Sequence, residues 1–328
     1  MRILGHADVR QVLAGHESET LDVVRRAYRL HDEGQSAVPH SVFLRFPGDR
    51  TNRIIGLPAY AGGDKPVAGM KWIASFPGNV QRGLERASAA ILLNSLENGH
   101  PEALVEGSQI SARRTAASAA VAAQELVGGP PSGVSLVGTG VINLEIFRFL
   151  TVALPSIEEI TVFDLDRNRA ESFAAKCQEI KAVRAKVVGT LDEALAAQPL
   201  ISFATTAIEP HTDLSACRPG AVVLHISLRD LTADAIVAAR NVVDDAEHVC
   251  REGTSLYLAE RQTGGRSFID APIGALLRGT ATLERRPDEL VVYSPFGLGV
   301  LDIALADHVR TVAEERGLGA TFDGFVPS

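Results

Sequence analysis

Cysteine is scarce in this chain, with three in 328 residues, at positions 177, 217 and 250. Cys177, Cys217 and Cys250 are odd in number and far apart, which excludes a disulfide framework and a closely spaced metal-ligand pair. No structural metal is therefore expected. Long apolar runs are missing too: no stretch of about 18 residues is free of charge, so no transmembrane helix is expected. The opening residues Met1-Arg2-Ile3-Leu4-Gly5-His6-Ala7-Asp8 turn polar too soon for a secretory signal, and a cytoplasmic protein is expected. Low-complexity tracts and fixed-period repeats are absent. So is an excess of positive charge. The formal net charge is -8, which speaks against a nucleic-acid partner and for a solvated surface.

What remains is the composition of a folded globular protein, 46% apolar and 22% charged, long enough for two domains. Residues 17–34 read as a helix with Leu21, Val24, Ala27, Tyr28 and Leu30 near one face. Strand-like runs follow at 41–46, 53–60, 67–76, 87–94 and 102–106, separated by turn clusters such as Pro47-Gly48-Asp49. Such a succession predicts a mixed or largely antiparallel sheet. The alanine-rich stretch 108–126 predicts a long helix, ended by Gly128-Gly129-Pro130-Pro131. Beyond it the pattern changes. Short apolar strands at 134–137, 160–163, 185–188, 200–204 and 221–226 alternate with helical stretches, which predicts a parallel, doubly wound sheet. Residues 241–244 and 290–294 are candidates for two more strands, and 298–316 for a closing helix that returns to the first domain. The expected organisation is α/β. A Rossmann-type domain spans 116–298, and a mixed-sheet α+β domain is made of 1–115 with 299–328.

Two of three dinucleotide-fingerprint glycines stand in Val137-Gly138-Thr139-Gly140-Val141-Ile142-Asn143. Asn143 occupies the third position, where a small residue normally lets helix and sheet approach. The turn follows an apolar strand and opens a helix, where free N–H groups and the helix dipole favour a pyrophosphate. The next strand ends in Asp164, placed to accept hydrogen bonds from both ribose hydroxyls. That carboxylate would repel a 2′-phosphate, so NAD is expected, although Arg167 leaves NADP open. Ala204-Thr205-Thr206 ends the fourth strand of this series, on the side where ligands gather in open α/β sheets, or it simply caps a loop.

Several polar residues admit two readings. Lys71 lies in the apolar strand Val67-Ala68-Gly69-Met70-Lys71-Trp72-Ile73, as a buried paired ammonium or on a half-exposed face. Arg113-Arg114 opens the alanine-rich helix, to grip a carboxylate or to face solvent. Asp230 follows a strand at its ligand-bearing end, or is the N-cap of the next helix. His225 reads as a packed strand residue, while His100 and His211 read as turn or surface residues. The cysteines have no nucleophile context.

Together these pieces resemble the ornithine cyclodeaminase/mu-crystallin family over nearly the whole chain. The resemblance is carried by Gly69-Met70-Lys71-Trp72, Ala87-Ser88-Ala89, Arg114-Thr115-Ala116-Ala117-Ser118, Gly138-Thr139-Gly140, Phe163-Asp164 and Ser294-Pro295-Phe296-Gly297-Leu298-Gly299. Within the family, Pro39–Pro47, Leu57-Pro58-Ala59-Tyr60 and Lys71–Pro77 resemble its dehydrogenases of L-2,3-diaminopropionate biosynthesis, of the staphyloferrin B pathway type. The resemblance implies NAD-dependent oxidative cleavage of N-(1-amino-1-carboxy-2-ethyl)-glutamate to L-2,3-diaminopropionate and 2-oxoglutarate, serving a siderophore or an antibiotic. It also implies a homodimer built through the first-domain sheet, with the active site between domains. Other family activities stay open, namely ornithine cyclodeaminase, alanine dehydrogenase, ketimine reductase or a non-enzymatic NAD(P)-binding protein. The family's substrate lysine falls on Lys71, its helix-start arginine on Arg114 and its catalytic aspartate on Asp230. Cofactor contacts fall on Ser88, Arg114, Gly138, Thr139, Gly140, Val141, Ile142, Asp164, Thr205, Thr206, Ser227, Phe296 and Gly297. Cyclodeaminases carry a carboxylate just before the position of Leu57. Here Ile55 and Gly56 stand there, against ring closure. The family's early substrate arginine has no clear match near His40, and Arg45 or Arg53 is the candidate substitute.

Overall fold

A computed structural model describes residues 1–49, 51–251 and 253–325. The last three residues of the expected C-terminal tail lie outside that range. In chain order the elements begin β1 (Arg2–Leu4), α1 (His6–Leu13), α2 (Glu17–Asp32), β2 (Ser36–Ala37), β3 (Val42–Arg45), β4 (Arg53–Ala61), β5 (Val67–Ser75), β6 (Ala87–Asn94), β7 (Pro101–Glu106) and α3 (Gly107–Leu126). They continue with β8 (Gly133–Val137), α4 (Val141–Ala153), β9 (Glu159–Phe163), α5 (Arg167–Ile180), β10 (Arg184–Val187), α6 (Leu191–Ala197), β11 (Leu200–Phe203), β12 (Val222–His225), α7 (Ala233–Ala238) and β13 (Arg240–Val243). The remainder is α8 (Ala246–Val249), α9 (Ser255–Thr263), β14 (Ile269–Pro272), α10 (Ile273–Arg278), β15 (Val291–Ser294), α11 (Gly299–Glu315) and β16 (Ala320–Thr321). The chain divides into two compact units, Met1–Arg114 with Leu298–Ser328, and Thr115–Gly297.

The first unit is a mixed sheet ordered β16-β1-β7-β6-β5-β4-β2, with β3 also paired to β4. Hairpin connections make β4, β5, β6 and β7 antiparallel, while β1 runs parallel to β7. Period-two alternation sets its two faces. On β5, Lys71 is buried and its neighbour Trp72 is exposed. The apolar side of α11 packs on β4, β5 and β6. At that crossing Gly299 lies against the backbone of Leu57, where an added Cβ would stand 3.1 Å from the Leu57 carbonyl oxygen.

The second unit is an eight-stranded sheet ordered β10-β9-β8-β11-β12-β15-β13-β14. Every pairing in it is parallel. Its central strands β8, β11, β12 and β15 are buried along their whole length, as a sheet covered by helices on both sides requires. Strand order reverses between β8 and β11, so the crevice past their carboxyl ends is the ligand-binding position of this topology.

One expectation is corrected here. Asp230 is not a helix N-cap. Helix α7 starts later, and Thr232 caps it by accepting from Ala235 N–H. Helices α9 and α10 and strand β14 escape the sequence reading because they are short, and β14 ends in a proline that reads as a break.

Candidate active site

In the first unit the buried polar residues converge on α11. Asp302 is fully buried on that helix. Its Oδ2 accepts from Lys71 Nζ at 2.7 Å, and its Oδ1 accepts from Arg114 Nε at 3.0 Å. Lys71 also donates to Ser111 Oγ at 3.2 Å. Of the two open readings, Lys71 is therefore the interior paired ammonium, only 1% exposed. Burial pushes its pKa down, as does the Arg114 charge, against the pull of Asp302, to about 8. Two cations share one carboxylate, so the cluster carries one surplus positive charge in a dry environment. Such a charge is costly unless an anion neutralises it.

Neighbouring arginines are thereby separated in role. Arg113 donates to the Leu13 carbonyl at 2.8 Å and pairs with Glu17 at 2.9 Å, which ties α3 to the α1–α2 corner. Only Arg114 joins Lys71. Arg45 and Arg53 face each other across β3 and β4. Arg53 pairs with Ser75 and Leu57 with Lys71, so both arginines lie on the Lys71 face but four positions along the strand. That offset is about 13 Å, and neither arginine joins the cluster. Ser88 is exposed on β6 opposite Ala74, a register that places it on the face opposite Lys71.

In the second unit the glycine turn lies at the switch point. Gly138 has φ +87, and its N–H donates to Phe163 O at 2.9 Å. A Cβ there would meet the Ala204 carbonyl oxygen at 2.6 Å, so only glycine fits this approach of β8 to β11. Gly140 precedes α4, no side chain caps that helix, and a Cβ on Gly140 would meet nothing within 4 Å. Val141 and Ile142 supply the first helical N–H groups. Open space before uncapped N–H donors fits a pyrophosphate. Asn143, the departure from the fingerprint, proves to be a clamp. Its Nδ2 donates to the carbonyls of Val137 at 2.8 Å and Gly138 at 2.7 Å, while its Oδ1 accepts from Ser202 Oγ at 2.7 Å. Asp164 Oδ2 accepts from Thr139 N–H at 3.0 Å and Thr139 Oγ1 at 2.5 Å, which fixes the carboxylate beside the turn. Burial opposes its ionisation, but the Thr139 and Asp166 donors prevail and lower its pKa.

Past β12 the chain turns sharply through Leu228, a non-glycine residue at φ +66. Such strain persists only where surrounding structure over-determines it, and it collects at functional sites. The turn brings Asp230 back, fully buried, into a ring of donors. Thr205 Oγ1 and His211 Nε2, the latter at 3.2 Å, bond Oδ1, and Ser227 Oγ bonds Oδ2 at 2.5 Å. His225 Nε2 lies 3.5 Å from Oδ2 and accepts the Asp230 N–H at 3.3 Å. Its Nδ1 meets Ser294 Oγ at 3.2 Å. Burial lowers the His225 pKa, against the pull of Asp230. Burial would raise the Asp230 carboxyl, but His225, Ser227 and Thr205 outweigh it and hold the group far below the usual range. Thr206 is exposed and takes no part in the ring.

Asp244, which the sequence reading missed, organises the last expected cofactor segment. Its Oδ1 accepts from Phe296 N–H at 2.8 Å and its Oδ2 from Gly297 N–H at 2.7 Å. Burial pushes the pKa of this carboxyl up against those donors. Asp302 was missed as well, although a lone acid inside Leu298-Gly299-Val300-Leu301-Asp302-Ile303-Ala304-Leu305 was a usable signal. Burial drives the thiols of Cys177 and Cys217 up to about 12 and that of Cys250 to about 11, which makes them poor nucleophiles.

The profile of the ornithine cyclodeaminase/mu-crystallin family matches residues 3–317. The chain belongs to that family. It is 26% identical to an N-((2S)-2-amino-2-carboxyethyl)-L-glutamate dehydrogenase of Staphylococcus aureus, over 98% of both chains. Its fold matches that of the Thermococcus litoralis Delta(1)-pyrroline-2-carboxylate reductase, solved with NADH and L-proline. The TM-score is 0.92 at 24% identity, over 98% of this chain and 100% of that one. An archaeal alanine dehydrogenase dimer with bound NAD is 25% identical, with a TM-score of 0.89 over 99% of each chain. Among the described residues no helix is long and apolar enough to cross a membrane.

Proposed function

We propose that this family member is an NAD-dependent dehydrogenase that oxidises the CH–NH bond of an amino-acid-derived secondary amine. Its substrate is N-(1-amino-1-carboxy-2-ethyl)-glutamate, and its products are L-2,3-diaminopropionate and 2-oxoglutarate. The observation that carries the reading is the surplus positive charge of Lys71, Arg114 and Asp302. A substrate carboxylate supplies the missing negative charge, and a substrate with three carboxylates has anions to spare. Arg45 and Arg53 take a second carboxylate, on the same face of the sheet. NAD, when bound, accepts the hydride. Gly138, Thr139, Gly140, Val141 and Ile142 hold its pyrophosphate, Asp164 its ribose, and Thr205, Thr206, Ser227, Phe296 and Gly297 line its remaining length. Asp230 carries the proton chemistry of amine deprotonation and imine hydrolysis.

The test is NADH formation by purified protein with NAD+ and a panel of amines. The adduct is expected to turn over fastest. Faster turnover of alanine, ornithine or proline replaces the substrate, a reading favoured by near-equal identity to the alanine dehydrogenase and the reductase. No NADH with any amine favours a non-enzymatic NAD(P)-binding role instead.

Assembly as a homodimer belongs to the same proposal. Val42, Leu44, Tyr60 and Trp72 leave large apolar surface exposed on one face of the first unit's sheet, and the alanine dehydrogenase relative is a dimer. Trp72→Glu is expected to halve the mass seen by light scattering and to change unfolding free energy by less than about 0.5 kcal/mol per chain beyond the lost association. An unchanged mass removes this face from the interface. Three free cysteines fit a cytoplasmic, reducing compartment. The diaminopropionate formed there serves siderophore or antibiotic assembly.

A further inference from the structure

We propose that His211 is the group that exchanges protons with the substrate, and that Asp230 acts through it as a buried orienting carboxylate. The proposal rests on the amine-oxidising reading above and deepens it. Four observations support it.

Asp230 is fully buried and its oxygens are already occupied. Thr205 and His211 take Oδ1, while Ser227 and the nearby His225 ring take Oδ2. A substrate nitrogen or a water that reached this carboxylate directly would have to displace one of those groups. His225 cannot serve in its place. It is sealed inside the sheet, and its two nitrogens are spent on Asp230 N–H and Ser294.

His211 is the most exposed member of the ring, with 39% of its side chain exposed, while Thr205 and Ser227 are half-buried. The backbone holds it in place as well. His211 N–H donates to the Asp230 carbonyl at 2.8 Å, and Thr212 N–H to the same oxygen at 3.1 Å. Thr212 and Leu231 form a parallel bridge that locks the two loops together. The imidazole is thus fixed by its own backbone and by its side chain.

A carboxylate only accepts, so His211 Nε2 must be the protonated nitrogen, and Nδ1 carries the lone pair. Carboxylate, imidazole and exposed lone pair in series form an orienter and a base, an arrangement that recurs wherever histidine moves protons.

The steps balance. His211 Nδ1 takes a proton from the substrate ammonium and frees the nitrogen lone pair. The glutamate Cα–H bond breaks as hydride, for which NAD would be the acceptor when bound, and the C=N bond forms. His211 passes the ammonium proton to solvent, and water then adds to the iminium carbon and gives one of its protons to the freed base. The carbinolamine C–N bond then breaks, and the departing amine takes a proton back. One water is consumed, one NAD+ is reduced and one proton is released.

The test compares His211→Ala, His211→Gln and Asp230→Asn in the full chain, with the best amine of the panel. His211→Ala is expected to lower kcat by about 10²–10⁴-fold with KM nearly unchanged, and added imidazole is expected to restore part of kcat. His211→Gln keeps an N–H donor for Asp230 but carries no proton, so it is expected to fold normally and stay slow. Asp230→Asn is expected to be slow without rescue. Full kcat in His211→Gln, or no rescue of His211→Ala, overturns the proposal. A wild-type chain that oxidises a different amine overturns only the substrate assignment. If it oxidises none, ¹⁵N NMR of labelled histidine still decides. The His211 signals, assigned by their loss in His211→Gln, are expected to show Nε2–H with an unprotonated Nδ1. The opposite tautomer overturns the proposal.

Discussion

The two buried clusters of this chain solve opposite electrostatic problems. In the first unit a single carboxylate, Asp302, is shared by two cations, Lys71 and Arg114. In the second a single carboxylate, Asp230, is surrounded by two hydroxyls and two imidazoles. The first cluster has a charge left over, with the Ser111 hydroxyl as a neutral acceptor beside it. The second has a charge that is already solvated by fixed dipoles. A left-over buried charge is a demand for a counter-ion, whereas a solvated one is a fixed point of reference for its neighbours. The difference explains why the first suits recognition of carboxylates and the second suits orientation of a proton carrier.

The sharpest way to break the comparison is to remove each carboxylate's support. Asp302→Asn leaves two buried cations without their anion and is expected to cost about 3–5 kcal/mol in denaturant unfolding. The triple variant Lys71→Met/Arg114→Met/Asp302→Leu removes the ionic cluster whole, and it is expected to regain most of that stability without regaining activity. Should Asp302→Asn be as stable as wild type, the cluster is not sealed, and the surplus charge loses its meaning. At the second cluster the matching change is milder. Ser227→Ala removes one neutral donor from an anion that keeps three other neighbours, and it is expected to cost about 1.5–3 kcal/mol. The sign of its pH dependence is fixed. Asp230 is depressed in the folded state, so its stabilisation is present above the ordinary carboxylate range and is lost as pH falls through it. The gap between Ser227→Ala and wild type therefore narrows only as pH falls into the depressed folded-state range of Asp230, below the ordinary carboxylate value. A gap that stays constant with pH means that the hydroxyl does not support the charge.

How much of this was legible in the sequence depends on the distance over which each residue acts. Helix α5, strand β6 and the glycine turn are local features, and their periodicity or turn chemistry placed them. Lys71 and Arg114 were legible as candidates because a charge in an apolar strand or at a helix start is conspicuous. Asp302 acts on residues 231 and 188 positions away, and a lone acid on an apolar helix looks like a solvent-facing residue until its face is known. The meaning of His211 depends on a loop-to-loop bridge 19 residues apart, which no periodicity reports. Asn143 is instructive in another way. The fingerprint treats its position as one for a small residue, because helix and sheet must approach there. This chain instead fills the gap with an amide that bonds both partners, so the departure from the motif preserves its purpose.

The smallest predicted effect sharpens the comparison most, because it titrates the first cluster without mutation. Lys71 loses its proton near pH 8 rather than at the ordinary lysine value of 10.5. Below that pH the cluster holds one surplus positive charge. Above it Asp302 is balanced by Arg114 alone and the surplus is gone. KM for the substrate is therefore expected to rise as pH passes about 8, by up to about tenfold, the equivalent of 1.4 kcal/mol, while kcat changes little. Lys71→Arg keeps a permanent charge and is expected to flatten that rise. Stability runs the other way. Between about 8 and 10.5 the unfolded chain binds the proton that the folded chain has released. Folding is therefore favoured as pH climbs through that window, the same sign of pH dependence as at Asp230, where stability is lost as pH falls. If KM stays flat while stability still rises, Lys71 is buried and titrates but does not meet the substrate. The carboxylate then belongs to Arg114 and the strand arginines.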